Sequence, residues 1–175
     1  MRKDLVRNRQ RLVEAAAAAF AEAGPGVSLD EVARRAGVGP STLYRHFPAR
    51  DDLVEAVLDH LAGGVRERSA RAGAIDDPRE AFRVTLAEIC VNEGPDVDAF
   101  ARLAATSPRA GTRARDIVAD LVGPATTRLR DAGGLRAGIT TDDIVTFLRM
   151  VESVPSTPDQ RRKAIEVLYE GLTKL

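Results

Sequence analysis

The chain has 175 residues, 44% of them hydrophobic and 30% charged, and its formal net charge is zero. That length supports a real core in one or two small domains, and the balance excludes the low-hydrophobicity disordered class. The longest purely apolar run, Ala15 to Ala21, is too short to span a bilayer, the charged start Met1-Arg2-Lys3-Asp4 is unlike a secretory leader, and the lone Cys90 cannot close an internal disulfide. These features predict a cytoplasmic protein with no membrane association.

β-Branched and aromatic residues are scarce while Ala, Leu, Arg and Glu abound, so helices are favoured over strands. Leu5, Leu12, Ala16, Ala19, Phe20 and Ala23 share one stripe and predict a first helix over 5–23, stopped by Gly24-Pro25-Gly26. Ser28 reads as an N-cap, with Glu31 completing a capping box, and a second helix follows over 29–36 to Gly37. Pro40 opens a third helix over 40–46, with Leu43 and Phe47 pointing inward and Pro48 closing it. A connector helix over 51–71 carries Leu53, Val57, Leu61 and Val65 on its apolar side, and Asp51 and Asp52 suit its N-terminal dipole.

After the break at 72–77, further helices are predicted at 78–92, 98–106, 109–132, 141–153 and 158–173. The expected architecture is all-α with about nine helices: an N-terminal three-helix domain over 1–50, the connector, and a helical C-terminal domain over 72–175.

Two short helices joined by a Gly-containing turn make a helix-turn-helix, whose second helix enters the DNA major groove. Here the unit spans Ser28 to Phe47, and Ser28 at the start of its first helix joins the candidate contacts. The outward residues of the second helix are Pro40, Ser41, Thr42, Tyr44, Arg45 and His46, a set of hydroxyls, a guanidinium and an imidazole with no acidic residue among them. Arg50, just beyond, adds a cation within reach of the DNA backbone. Residues 1–50 hold nine Lys/Arg against five Asp/Glu, a net +4, and the remainder is net −4. That asymmetry is either the footprint of a DNA reader or ordinary fluctuation. Tyr44 reads equally as a half-buried core residue with its hydroxyl free. His46 reads as a base or backbone contact, or as a helix C-terminal partner. Arg2, Lys3, Arg7, Arg9 and Arg11 read as a DNA-binding arm or as a basic terminus.

The stretch Ser28 to Val38 (SLDEVARRAGV) and the stretch Ser41 to Leu53 (STLYRHFPARDDL), with Phe20 before the first break, resemble the DNA-binding domain of the tetracycline-repressor (TetR) family. The resemblance covers about residues 8–60. It implies a homodimer on a palindromic double-stranded operator, and a helical C-terminal domain that binds a small-molecule effector and so releases DNA. Position by position, Thr42 and Tyr44 match phosphate-touching sites, and Ser41, Arg45 and His46 match sites near bases or backbone. Arg50 matches a site where a Lys usually grips phosphate. Gly39 and Pro40 depart from the family pattern, where position 39 is more often Ser and position 40 Lys or a small polar residue.

The same resemblance places an effector pocket among the C-terminal helices. Phe82, Leu86, Cys90, Phe100 and Leu103 are candidate walls, together with Phe147 and Met150; Arg102 and Thr106 are candidate polar anchors. Each apolar member reads equally as core, and Cys90 reads as a small core residue before a redox sensor. The last two helices would pair with a second copy through Ile144, Phe147, Leu148 and Val151, then Ile165, Leu168, Tyr169 and Leu172.

Enzyme chemistry is not expected. His60 beside Asp59 has no nucleophile at a motif spacing, two histidines and one cysteine offer no metal-ligand set, and neither Gly24-Pro25-Gly26 nor Gly133-Gly134 forms a phosphate loop. No catalytic residue, metal or cofactor is therefore predicted. The competing reading is a helical small-molecule-binding or interaction protein whose DNA reader is degenerate, as Gly39 and Pro40 would allow.

Overall fold

The computed structural model describes residues 2–90, 95–152 and 157–174. Among these it forms ten helices: α1 Arg2–Ala23, α2 Leu29–Ala36, α3 Pro40–His46, α4 Arg50–Leu61, α5 Gly63–Gly73, α6 Pro78–Cys90, α7 Pro95–Ala104, α8 Pro108–Asp131, α9 Thr141–Glu152 and α10 Pro158–Leu172. The all-α expectation holds, with one helix more than expected. The connector is two helices, because the N–H of Ala62 closes α4 on Leu58 O just ahead of the adjacent glycines Gly63 and Gly64, the weakest helix formers after proline. The expected helix ends at 91–92 and 153 lie outside the described residues.

The chain divides into two compact units, Met1–Gly63 with Gly94–Ala114, and Gly64–Glu93 with Arg115–Leu175. The division falls at Gly63-Gly64, whereas the sequence suggested residue 72, and α7 with the first turns of α8 belongs to the N-terminal unit.

In the first unit α1 packs on α2, α3, α4 and α7. Leu12, Ala16, Phe20, Val32, Ala33, Leu43, Phe47, Leu53 and Val57 are fully enclosed, each at the position its helical stripe predicts. Polar contacts run along α4 on one side: Ser107 donates to Asp51 at 3.2 Å, Arg109 to Asp52 at 2.7 Å, and Arg113 to Asp59 at 2.6 Å.

In the second unit α6, α9 and α10 pack together around Phe82, Leu86, Cys90, Val122, Leu129, Ile144, Leu148 and Ile165. Thr157 caps α10 reciprocally with Gln160. The end of α10 is tied back by an antiparallel bridge between Leu135 and Thr173, in which Arg136 N–H meets Leu172 O and Lys174 N–H meets Gly134 O, both at 2.9 Å. No helix among the described residues is long and apolar enough to cross a membrane.

Candidate nucleic-acid interface

The α2–turn–α3 element is built from caps as much as from core. The Ser28 hydroxyl accepts the Glu31 N–H at 3.2 Å, satisfying one of the orphan donors of α2. The box is not reciprocal as expected. The Glu31 carboxylate instead takes Arg34 at 2.7 Å and Arg35 at 2.8 Å, and those two guanidiniums hold it below the usual carboxylate range. Arg35 reaches Glu22 on α1 as well, at 2.6 Å. Arg34 and Arg35 are thus surface ion-pair partners on α2.

Past α2, Gly37 adopts a left-handed φ of 64°, with its N–H on Arg34 O and that of Val38 on Ala33 O. This is a Schellman closure, and it turns the chain into α3 within three residues. An alanine at 37 is expected to cost about 1–2 kcal/mol from the positive φ alone. A Cβ there would also stand 2.8 Å from the Arg11 guanidinium, which is the mobile end of a side chain and can move aside. Chemical denaturation of Gly37→Ala checks the figure.

Helix α3 starts on Gly39, which offers no side-chain cap, with Pro40 at a position where a missing N–H is harmless. Leu43 and Phe47 are 0% and 1% exposed and anchor it, leaving the opposite face to solvent. Ser41 and Arg45 are exposed, Tyr44 is 48% exposed, and Thr42 and His46 are half-buried. All five therefore lie on one short helix whose register is fixed by two buried side chains. The Phe47 ring is also covered by the Arg9 guanidinium of α1, 5.1 Å from its centroid. This contact brings one basic residue of α1 beside the reader, a placement that the charge pattern of α1 could not show.

His46 has an enclosed Nε2 without a hydrogen-bond partner among the described residues. Burial, then the nearby Arg45 and Arg9 charges, push its pKa below the ordinary imidazole value, so it stands neutral at physiological pH. As pH falls the unfolded chain takes up this proton before the folded one does. The contribution of His46 to stability is therefore present above an unfolded value near about 6.5 and is lost as pH falls from there through the lower folded value. Unfolding midpoints measured on either side of that pH should drop in acid, and His46→Gln should flatten the drop.

Arg50 is not projected toward solvent. Its Nη2 donates to Val27 O at 2.8 Å and to Pro25 O, and its guanidinium carbon lies 5.7 Å from the centroid of the Phe20 ring.

The other candidate residues separate by environment. Phe82, Leu86 and Cys90 are closed into the core of the second unit, where burial pushes the Cys90 thiol well above its usual range and keeps it protonated. Leu103 is core of the first unit, and Phe100 is half-buried there. Arg102 is exposed and donates weakly to Ala21 O at 3.4 Å, while Thr106 donates within its own turn to Leu103 O at 2.7 Å. The second unit does hold a cavity of about 540 Å³, between α5, α6 and α8. Arg66, Ser69, Gly73, Thr85, Asp120 and Ala125 line it, and none of the nine expected ligand residues does. Its walls mix small side chains, Ser69, Gly73, Thr85 and Ala125 among them, with the charged Arg66 and Asp120, and no large apolar stripe marks it in the sequence.

Of the expected dimer residues, Ile144, Leu148, Ile165 and Leu172 are buried within the chain itself. Phe147, Val151 and Leu168 line an open apolar groove of about 440 Å³ together with Met150, Ala164, Val167 and Lys163. Val167 and Met150 are 70% and 61% exposed there, and sequence reading missed Val167 because it falls outside the main stripe of α10.

A tight glycine turn between two short helices, the second presenting polar residues on a face fixed by two buried anchors, defines a helix-turn-helix protein of the DNA-reading class. Residues 12–57 match the model of the bacterial regulatory proteins of the tetR family. Over its full length the chain is similar to the TetR transcription regulatory protein from Mycobacterium vanbaalenii, at 30% identity with 99% of each chain covered and a TM-score of 0.53. The chain belongs to the TetR family of transcriptional regulators. A TetR-family regulator from Rhodococcus sp. shares the fold at a TM-score of 0.76 and 17% identity, over 97% of this chain and all of that one. An HTH-type transcriptional regulator from Staphylococcus aureus is 46% identical over 59 residues, which are 33% of this chain and 32% of that relative. The match thus spans about a third of the curated relative's length.

Proposed function

We propose that this chain is a cytoplasmic repressor that binds a palindromic operator as a homodimer and leaves it when a small molecule occupies its second unit. The observation that carries the reading is α3, where Ser41, Tyr44 and Arg45 face solvent together on a helix pinned by Leu43 and Phe47. Arg45 is the member best suited to read a base, through a bidentate contact to guanine. Thr42 and Tyr44 supply hydroxyls for phosphate, and the Ser28 end of α2 adds backbone N–H groups.

A second copy would cover the groove on α9 and α10, since Val167 and Met150, 70% and 61% exposed, leave apolar surface in water there. Two-fold pairing would set two α3 helices about 34–36 Å apart, on successive major-groove turns. The cavity between α5, α6 and α8 is of the size that small ligands occupy. A ligand bound there releases DNA only by favouring the non-binding conformer, and moving a population from 1:99 to 99:1 takes about 5.5 kcal/mol of differential affinity. No catalytic step is part of this reading.

Arg45→Ala tests it. The variant is expected to lose about 1–3 kcal/mol on the specific site and little on unrelated DNA, as gel-shift titration against both would show. Equal loss on every sequence would make Arg45 a phosphate contact, and no loss would remove it from the site.

A further inference from the structure

We propose that Arg50 is a positioning residue that fixes the operator-facing end of α2, rather than a contact to the DNA backbone; the inference rests on the DNA-binding reading above.

The chain between α1 and α2 reverses over Gly24 to Val27, with Gly24 at a φ of 80°. The carbonyls of Pro25 and Val27 lie outside both helices and need donors from elsewhere, since backbone acceptors left unpaired are costly. Arg50, the first residue of α4, supplies them: Nη2 donates to both carbonyls. The same guanidinium lies against the ring of Phe20, itself 1% exposed near the end of α1. One side chain therefore joins the end of α1, the turn and the start of α4.

Ser28, which caps α2, directly follows Val27, so the carbonyl that Arg50 holds is one residue from the cap that sets where α2 begins. The ring contact is what asks for arginine, since both bonds leave a single Nη2. A lysine ammonium is a compact point charge that cannot reproduce a planar guanidinium lying against an aromatic ring while it bonds two carbonyls. A phosphate contact makes the opposite demand, because there a lysine would serve as well as an arginine, and reaching a phosphate would take this guanidinium away from both carbonyls.

The test compares the full-length protein with Arg50→Lys and Arg50→Ala on the operator fragment, over a range of salt concentrations. Both variants are expected to lose about tenfold or more in specific affinity, the scale of one charge-assisted hydrogen bond. The slope of log K against log salt should stay that of the wild type. In the free proteins, the amides of Glu31 and Val32, held by the Ser28 hydroxyl and carbonyl, should exchange faster in both variants, while that of Phe47 keeps its protection. Wild-type binding by Arg50→Lys would overturn the proposal. So would a slope reduced by about 0.9 in Arg50→Ala, the signature of one lost phosphate contact. If Arg50→Ala fails to fold, as circular dichroism would show, Arg50→Lys alone decides. If the wild type has no operator, the regulator reading fails, and the exchange measurement made without DNA still decides Arg50: unchanged Glu31 and Val32 amides would overturn its positioning role.

Discussion

Phe47→Ala is expected to destabilise the first unit by about 3–5 kcal/mol, the usual cost of emptying a buried phenylalanine site. Phe47 is 1% exposed, closes the C-terminal end of α3 through its N–H on Leu43 O, and carries Arg9 against its ring. Removing it takes away the anchor at one end of the reader and the surface on which Arg9 rests. Small domains hold only about 5–15 kcal/mol in all, so a loss of this size takes much of the margin. The urea midpoint should fall sharply and specific DNA binding should fall with it. A change below about 0.5 kcal/mol, within the range of ordinary surface substitutions, would mean that α3 is not held by this side chain.

Val167→Glu should have little effect within one chain and a large effect on assembly. Val167 is 70% exposed, so a carboxylate there remains hydrated in a monomer. Under a second copy that carboxylate would be taken out of water, a penalty of several kcal/mol per ion that Lys163, one turn away on α10, offsets only in part. Two-fold symmetry places one such site on each copy, doubling the penalty. Sedimentation equilibrium should show the wild type as a dimer and the variant as a monomer with an unchanged helical spectrum. Operator affinity should fall by about 10²–10⁴, because two linked half-site contacts become one. A variant that stays dimeric would place the interface elsewhere than on α9 and α10.

The reader was legible because every signal in it is local. Ser28, Gly37 and Pro40 announce caps and starts by their own backbone preferences, and Leu43 and Phe47 announce the inner face by spacing. The connector was misread because its apolar stripe, Leu53, Val57, Leu61 and Val65, runs on through Gly63-Gly64 as if the helix did. Glu31 was expected to face back to Ser28, and the competing arginines three and four residues ahead took its carboxylate.

What stayed hidden depends on tertiary partners. Nothing in the pattern around Arg50 says that its partners are the carbonyls of Pro25 and Val27. Nothing around Gly73, Ala125 or Ser69 marks a cavity, because small residues signal space only once their neighbours are placed. Large apolar residues on α6, α9 and α10 were assigned to a pocket or a dimer face, and most of them fill the core of their own unit.

Helix α3 is proposed to read a specific DNA sequence. The most direct test of that reading is to bind the purified protein to genomic fragments at two salt concentrations and footprint whatever is retained. The expected result is a protected palindrome bound with an affinity that falls steeply as salt rises, as phosphate contacts require. Weak binding with no site preference at either salt concentration would contradict it.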